Sequence, residues 1–148
     1  MNALTLLMDD HKALKKLLSR GEDTTEHAVK TRHQLLDRIT TELRAHEKIE
    51  EDILYPALKE HPKARDIVLE GYQEHHVADL LIKELHGTDV TDEVWGAKFK
   101  VLTEGIEHHI EEEEGDMFKK ARDIFSTAEL NELGERMEAL KERVLAAK

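Results

Sequence analysis

A motif of histidine and glutamate that occurs twice is the feature that most restricts how this chain can fold. The segment HEKIEEDILYP begins at His46, and the segment HIEEEEGDMFK begins at His109. Both have Glu at positions five and six, an apolar residue at position nine and an aromatic residue at position ten. A His and a Glu four residues apart lie on the same face of an α-helix, so each segment can direct both side chains into one space.

The rest of the sequence is also typical of helices. Only 2 prolines and 7 glycines interrupt long stretches of Leu, Glu, Lys and Ala. We predict an all-α, up-down-up-down four-helix bundle with an additional C-terminal helix, in one domain over residues 1–148. The predicted bundle covers about residues 3–121, with helices at about 3–19, 31–58, 65–86 and 93–121, and the C-terminal helix covers about 127–146. Pro56 is expected to close or kink the second helix, and Ser126 with Glu129 is expected to cap the last.

The predicted C-terminal helix has one apolar stripe at helical spacing. Its members are Leu130, Leu133, Met137, Leu140 and Val144. Packing against the bundle is the interpretation that such a stripe favours, and a dimer contact is the alternative, so the chain is expected to be a monomer or a homodimer.

The phase of the helices places the motif residues in the core. At about 100° per residue, His109 and Glu113 fall within the apolar stripe of their helix, whereas His108 and Glu112 fall outside it. The same reasoning places His46 and Glu50 at the centre of a stripe of Leu35, Leu36, Ile39, Leu43, Ile53 and Leu54, and His11 among Leu4, Leu7, Leu14 and Leu18.

The third helix repeats the first. Asp10-His11 corresponds to Glu74-His75, 64 positions later, just as His46 corresponds to His109, 63 positions later. The apolar stripe of the third helix is broad, with Val77, Leu80, Leu81, Ile82 and Leu85, and His75 lies at its edge. The chain is therefore interpreted as a helix pair used twice.

Four inward histidines and two inward glutamates indicate a metal site. A single buried His is usually a hydrogen-bonded core residue, but six such groups without a cation would cost more than the roughly 5 to 15 kcal/mol of a domain's net stability. The chain has no cysteine, which excludes thiolate sites and disulfides. The candidate metal ligands are His11, His46, Glu50, His75, His109 and Glu113.

Six ligands exceed the four that one tetrahedral zinc takes, and mixed nitrogen and oxygen donors suit iron or manganese. We predict two Fe ions, each with two histidines, bridged by Glu50 and Glu113 and by an oxo, hydroxo or water oxygen. Each copy of the motif would then supply half of a di-iron centre.

Charge and hydropathy restrict the partners. A net charge of -11 argues against nucleic acid as a partner. No apolar run approaches the roughly 20 residues needed to cross a bilayer, and the N-terminus lacks the features of a signal peptide. The protein is expected to be soluble and cytoplasmic, with no membrane partner.

The segments DHKALKKLL, HEKIEEDILYP, EHHVADLLIKEL and HHIEEEEGDMF, in this order, resemble the hemerythrin-like or HHE cation-binding family over about residues 4–121. The resemblance implies a four-helix bundle with a non-haem di-iron centre. Oxygen-carrying hemerythrins have a second His in the third helix, at the position of Asp79 in this chain. Their last carboxylate is an Asp five residues after the last His, whereas in this chain Glu113 follows His109 by four residues. Similar bacterial proteins with one His in the third helix are associated with peroxide or nitric oxide chemistry.

We therefore expect a small oxidant, hydrogen peroxide, O2 or NO, as the partner molecule, with catalase-like breakdown of peroxide favoured. The alternative is a module that binds, stores or senses O2, NO or iron without turnover. Tyr55 is a candidate catalytic phenol beside the iron, although an aromatic residue at that position also suits the core. Glu74 and Glu47 are further carboxylates that could ligate iron.

Overall fold

The computed structural model describes residues 1–147, and helices cover almost all of this range. The α-helices are α1 (Ala3–Glu22), α2 (Val29–Ile49), α3 (Tyr55–Lys59), α4 (Pro62–His86), α5 (Glu93–Glu112), α6 (Phe118–Ile124) and α7 (Thr127–Ala146). Two π-helical segments, Glu50–Leu54 and Glu113–Met117, connect α2 to α3 and α5 to α6 without a break. The predicted all-α class is confirmed, and no strand occurs among the described residues.

Side-chain caps mark the starts of α1, α5 and α7. The side chain of Asn2 accepts a hydrogen bond from the backbone of Leu4 at the start of α1, and Asp92 does the same for Val94 at the start of α5. The capping box predicted for Ser126 and Glu129 is present in full. These caps satisfy backbone donors that the first turn of a helix leaves without partners.

The second helix was predicted to end at about residue 58 with Pro56 in its last turn, and the helical rod ends at Lys59. The backbone N–H of Tyr55 donates to the carbonyl of Glu50, five residues back, in the widened π turn. Since the i to i−4 bonding has already been interrupted there, the ring of Pro56 displaces no hydrogen bond that the helix needs.

The four long helical rods form the bundle, in which α1 packs on α2 and α5, and α4 packs on α5 and α2. Two apolar clusters fill its ends. One contains Leu7, Leu54 and Phe118 together with the buried side chains of α7, and the other contains Ile39 and Trp95. The predicted polar site residues lie between the two clusters along every rod, so the site occupies the middle of the bundle.

The C-terminal helix packs on the bundle, as its stripe predicted. Leu130, Leu133 and Met137 are buried, and α7 contacts α1 and α2. A Cβ atom on Gly134 would collide with the backbone carbonyl of Met1 and would lie 2.7 Å from the backbone nitrogen of Ala3. Glycine at this position therefore allows α7 to approach the start of α1.

The apolar stripe predicted for the third helix is partly wrong. Ile82 and Leu85 are buried as predicted, together with Ala78, whereas Val77 and Leu80 are about half exposed. The reason is that α4 packs mainly on the two rods that contain α2 with α3 and α5 with α6, and the broad stripe extends beyond the surface that these rods cover. No helix in the described range is long and apolar enough to span a membrane.

Candidate metal centre

The six predicted ligand side chains converge at the middle of the bundle. Potential ligand atoms of His11, His46, Glu50 and Glu113 all lie within 4.8 Å of one another, and the same holds for Glu50, His75, His109 and Glu113. All six side chains are buried. We call the part with His11 and His46 half A, and the part with His75 and His109 half B. Both halves contain Glu50 and Glu113.

Each shared carboxylate has one oxygen in each half. Glu50 places Oε2 at 3.5 Å from Nε2 of His46 and Oε1 at 2.9 Å from Nε2 of His75. Glu113 places Oε1 at 3.1 Å from Nε2 of His11 and Oε2 at 3.1 Å from Nε2 of His109. This is the arrangement that a carboxylate bridging two cations requires.

Each of the four histidines of the centre has an outer ring nitrogen, Nδ1, that donates a hydrogen bond to a carboxylate. A metal-bound histidine ordinarily has such a partner, which fixes its tautomer and ring orientation and leaves Nε2 free to face the ion. The four Nδ1 contacts are His11 to Glu114 at 2.7 Å, His46 to Asp10 at 2.9 Å, His75 to Glu51 at 2.7 Å and His109 to Glu74 at 2.5 Å.

Three of these carboxylates, Asp10, Glu51 and Glu114, were not predicted to take part in the site. The carboxylate of Glu114 is partly exposed, and it accepts a hydrogen bond from buried His11. The internal repeat could have identified Asp10, the counterpart of Glu74, but not Glu51 and Glu114, which are counterparts only of each other. Asp10 also forms an ion pair with Lys141 of α7, so the C-terminal helix contributes to the surroundings of the site.

The π-helical segments begin at the two shared glutamates, Glu50 and Glu113. In an uninterrupted α-helix Tyr55 would lie about 180° around the axis from His46, on the outside of the bundle. The additional residue in the π turn rotates the following side chains inward by roughly 100°. Glu51 and Tyr55 can therefore reach the same centre as His46 and Glu50.

Tyr55 is fully buried, and its hydroxyl lies within half B. The hydroxyl donates to Oε2 of Glu113 at 2.6 Å and lies 3.4 Å from Nε2 of His75. The tyrosine ring stacks on His75 with 5.4 Å between ring centroids. In half A the repeat places Phe118, which stacks on His11 at 6.2 Å. At this aromatic position the two halves therefore differ by one hydroxyl group.

The electrostatics of the protein alone are those of paired imidazolium and carboxylate groups. Burial disfavours the charged form of His46, but attraction to Glu50 and the hydrogen bond to Asp10 outweigh it and raise the His46 pKa to about 10. The pKa of His109 is also raised, because Glu113 outweighs the effect of burial. Burial likewise opposes ionisation of Glu50, and attraction to His46 nevertheless lowers its pKa well below the usual value. These protons occupy nitrogens that a cation would use.

A cation fits the donor set. Nε2 of His46 and Oε2 of Glu50 are buried and have no hydrogen-bond partner, although they face each other. Two donors bound to one ion at about 2.1 Å lie roughly 3.0 to 3.4 Å apart at octahedral or tetrahedral angles. The distances of 2.9 to 3.5 Å between imidazole and carboxylate atoms are close to that range. The donors are nitrogen and oxygen only, which matches iron or manganese.

The two additional carboxylates take different places. Glu74 accepts a hydrogen bond from Nδ1 of His109 and therefore fixes the orientation of this candidate ligand from the side away from the centre. Glu47 is buried beside His46, and its Oε2 atom has no hydrogen-bond partner. The pKa of Glu47 is raised to about 10, mainly because the carboxyl group is buried and also because the carboxylate of Asp79 lies nearby. Neither side chain belongs to the two groups of buried atoms that define half A and half B.

Comparison with known proteins agrees with this geometry. The family model for the hemerythrin HHE cation binding domain matches residues 2–121. The chain is 32% identical over 147 residues to the uncharacterized proteins Rv2633c of Mycobacterium tuberculosis and Mb2666c of Mycobacterium bovis, covering 97% of this chain and 88% of theirs. A crystal structure of an HHE cation binding domain-containing protein, the Rv2633c homolog from Mycobacterium kansasii, superimposes with a TM-score of 0.87 at 28% identity. The superposition covers 99% of this chain and 89% of that one.

Proposed function

Because the chain belongs to the hemerythrin HHE cation-binding family, we propose that its buried cluster holds two iron ions that react with a small oxidant, hydrogen peroxide above all. The observation that carries the proposal is the division of Glu50 and Glu113 between the two histidine pairs. A single ion would leave one of the two pairs without a cation. Two ions give every inward-facing nitrogen and oxygen a partner.

The donor chemistry supports iron in particular. Four imidazoles and two carboxylates form a mixed nitrogen and oxygen set, which non-haem iron uses in proteins. Bound iron would supply one-electron steps between ferrous and ferric states, which none of the side chains in the cluster can supply. An oxo or hydroxo bridge between the two ions would complete the predicted centre. Manganese is the alternative metal that the same donors allow.

The side chains of the chain would hold the centre and leave room for the oxidant. Each half has two imidazoles and a share of two carboxylates, fewer donors than an octahedral ion takes. The Nδ1 hydrogen bonds fix the imidazole rings, so His11, His46, His75 and His109 would hold the metal from fixed directions, together with Glu50 and Glu113. The bound metal would supply the redox chemistry for reaction with the oxidant.

We assign Tyr55 as the catalytic residue of half B. Its hydroxyl donates to Oε2 of Glu113 with 2.6 Å between the oxygen atoms, and it lies close to the inward nitrogens of His75 and His109. A proton donor beside the reacting oxygen atoms would favour cleavage of a peroxide bond. Phe118 provides no such proton in half A, so the two halves would have different roles.

The test is release of O2 from hydrogen peroxide by protein reconstituted with ferrous iron without air. We expect rapid O2 release from the wild type, and loss of both iron and O2 release in His75→Ala. His76→Ala is the matched control because His76 is the next residue and is exposed; it should retain both. Iron-loaded wild type without O2 release would refute the catalase-like activity.

Binding without turnover is the second candidate. The observation that favours it is the enclosure of the centre, because buried metal sites exclude the water and reductants that would consume a bound gas. A stable and reversible change in the visible spectrum on adding O2 or NO, with negligible peroxide turnover, would identify a storage or sensing module.

A further inference from the structure

An apolar groove opens on the surface between α4 and α5. It has a volume of about 280 Å³. Val77 and Leu81 line it from α4 and Val101 lines it from α5, and Val77 and Val101 are both more than half exposed. Ala78, Gly105 and Ile106 are also part of its lining.

A smaller cavity lies next to this groove, at the centre of the bundle. Its volume is about 20 Å³, which is enough for one molecule the size of water. All four imidazoles of the centre line it, together with the buried side chain of Glu47. The groove and the cavity share Glu74, Ala78, Gly105 and Ile106, so these residues lie at the boundary between the surface groove and the cavity that the imidazoles line.

We infer that this groove is the route by which a small uncharged molecule reaches the metal centre, and that Gly105 keeps the route open. The inference rests on the proposed function, since it concerns access to the same centre. It specifies where the oxidant passes and which class of oxidant can pass.

Gly105 is the residue that determines the width of the route. A Cβ atom at Gly105 would meet no atom within 4 Å, whereas one at Gly21 or Gly71 would collide with a neighbouring aromatic side chain. Packing therefore does not require glycine at position 105, and glycine within a helix costs stability relative to alanine. A longer side chain there would lie over the preceding turn of α5, where Val101 and Leu102 line the groove.

The chemistry of the route selects uncharged molecules. Its walls are mainly aliphatic, and an ion would lose hydration there without gaining a partner. A shallow depression beside the groove is lined by Asp66, Glu70, Glu74 and Glu112, and the chain has a net charge of -11. Anions are therefore repelled at the mouth, whereas hydrogen peroxide, O2 and NO are not.

The test measures rates of access to iron-loaded full-length protein by stopped-flow absorption. Nitric oxide is the uncharged probe for the ferrous protein, and azide is the anionic probe for the ferric protein. We expect Gly105→Leu and Gly105→Phe to lower the second-order rate constant for nitric oxide by about tenfold or more, with unchanged iron content. Azide should react slowly with the wild type and faster as salt is added, because salt screens the acidic rim.

Gly96→Leu is the matched control. Gly96 lies on the same helix about 14 Å away, and a Cβ atom at this position would have its nearest neighbour 4.0 Å distant, in Arg32. Both substitutions replace a helix glycine by leucine, but only the one at Gly105 obstructs the groove. The control should retain the wild-type rate constant.

The outcomes separate the two hypotheses. Wild type that binds no iron, or whose iron spectrum does not respond to nitric oxide, overturns the proposed function and this inference with it. Wild type that responds, while both Gly105 variants hold iron and respond at the wild-type rate, overturns the access route alone. Equal slowing in Gly96→Leu and Gly105→Leu also overturns it, because the effect would then not depend on the groove.

Discussion

Replacing Tyr55 by phenylalanine tests the position of its hydroxyl group directly. The substitution keeps the ring, which packs on Tyr72 and His75, and removes the donor that lies 2.6 Å from Oε2 of Glu113. A hydrogen bond to a charged group contributes about 1.5 to 3 kcal/mol. We expect metal-free Tyr55→Phe to lose about 2 kcal/mol, which for a chain of this size lowers Tm by roughly 4 to 8 °C.

Gly71 supplies the second half of the experiment. A Cβ atom at this position would lie 2.8 Å from the hydroxyl oxygen of Tyr55 and 3.0 Å from Cζ. Gly71→Ala should therefore displace the tyrosine, at an overpacking cost of about 1 to 3 kcal/mol, against a gain of about 1 kcal/mol in helix propensity. The hydroxyl is absent in the Tyr55→Phe background, so Gly71→Ala should cost about 1 kcal/mol less there.

Urea unfolding of the four metal-free proteins measures this cycle, and Gly105→Ala is the control. Gly105 is an exposed helix glycine with free space around its Cβ position, so alanine should stabilise by about 0.4 to 1 kcal/mol. The reasoning is refuted if Tyr55→Phe leaves stability unchanged and Gly71→Ala behaves like Gly105→Ala. The hydroxyl would then not lie between Gly71 and Glu113.

The remaining predictions concern protons, the outer carboxylates and the C-terminal helix. The pKa of His46 is raised in the folded, metal-free protein, so protonated His46 stabilises that protein fully below about pH 6.5. This contribution is at most about 5 kcal/mol, and it is lost as pH rises through about 10. Thermal melts with and without metal should show the loss only in the metal-free protein. Asp10→Asn should weaken iron binding by about 10 to 100-fold in a competition assay with a chelator. Asp9→Asn changes the exposed neighbouring residue and should leave the affinity unchanged. Equal affinities of the two variants would contradict the role of Asp10 in orienting His46. Gly134→Ala should destabilise the protein in thermal melts because its Cβ collides with the start of α1, and an unchanged Tm would show that α7 does not pack so closely there.

The helix pair and its inward side chains could be predicted from sequence because the α-helical repeat of 3.6 residues determines both where apolar residues recur and which side chains face the core. Up to Glu50, a rotation of about 100° per residue places each side chain correctly, and His11, His46 and Glu50 are buried as expected. His75 is buried as well, although its own helix placed it at the edge of the stripe. In that case the correspondence with His11 was a better guide than the local pattern, because equivalent positions of a repeat occupy equivalent places in the bundle.

The surroundings of the cluster could not be predicted in the same way. Beyond Glu50 the π turn changes the rotation per residue, so a constant period assigns Glu51 to the wrong face, and Tyr55 was a candidate because of its place in the motif rather than its helical phase. The partial exposure of Glu51 and Glu114 also hides their role, since each reaches inward from the rim of the bundle to one imidazole nitrogen. Such contacts between helices depend on how the rods are placed relative to one another, which periodicity within one helix does not contain.

The most direct test of the central claim is anomalous diffraction at the iron edge from crystals of the iron-loaded protein. We expect two peaks per chain inside the bundle, one against His11 and His46 and the other against His75 and His109, with Glu50 and Glu113 between them. A single peak, or peaks only at the exposed carboxylates of the surface, would contradict a centre in which the two copies of the motif each hold one metal ion.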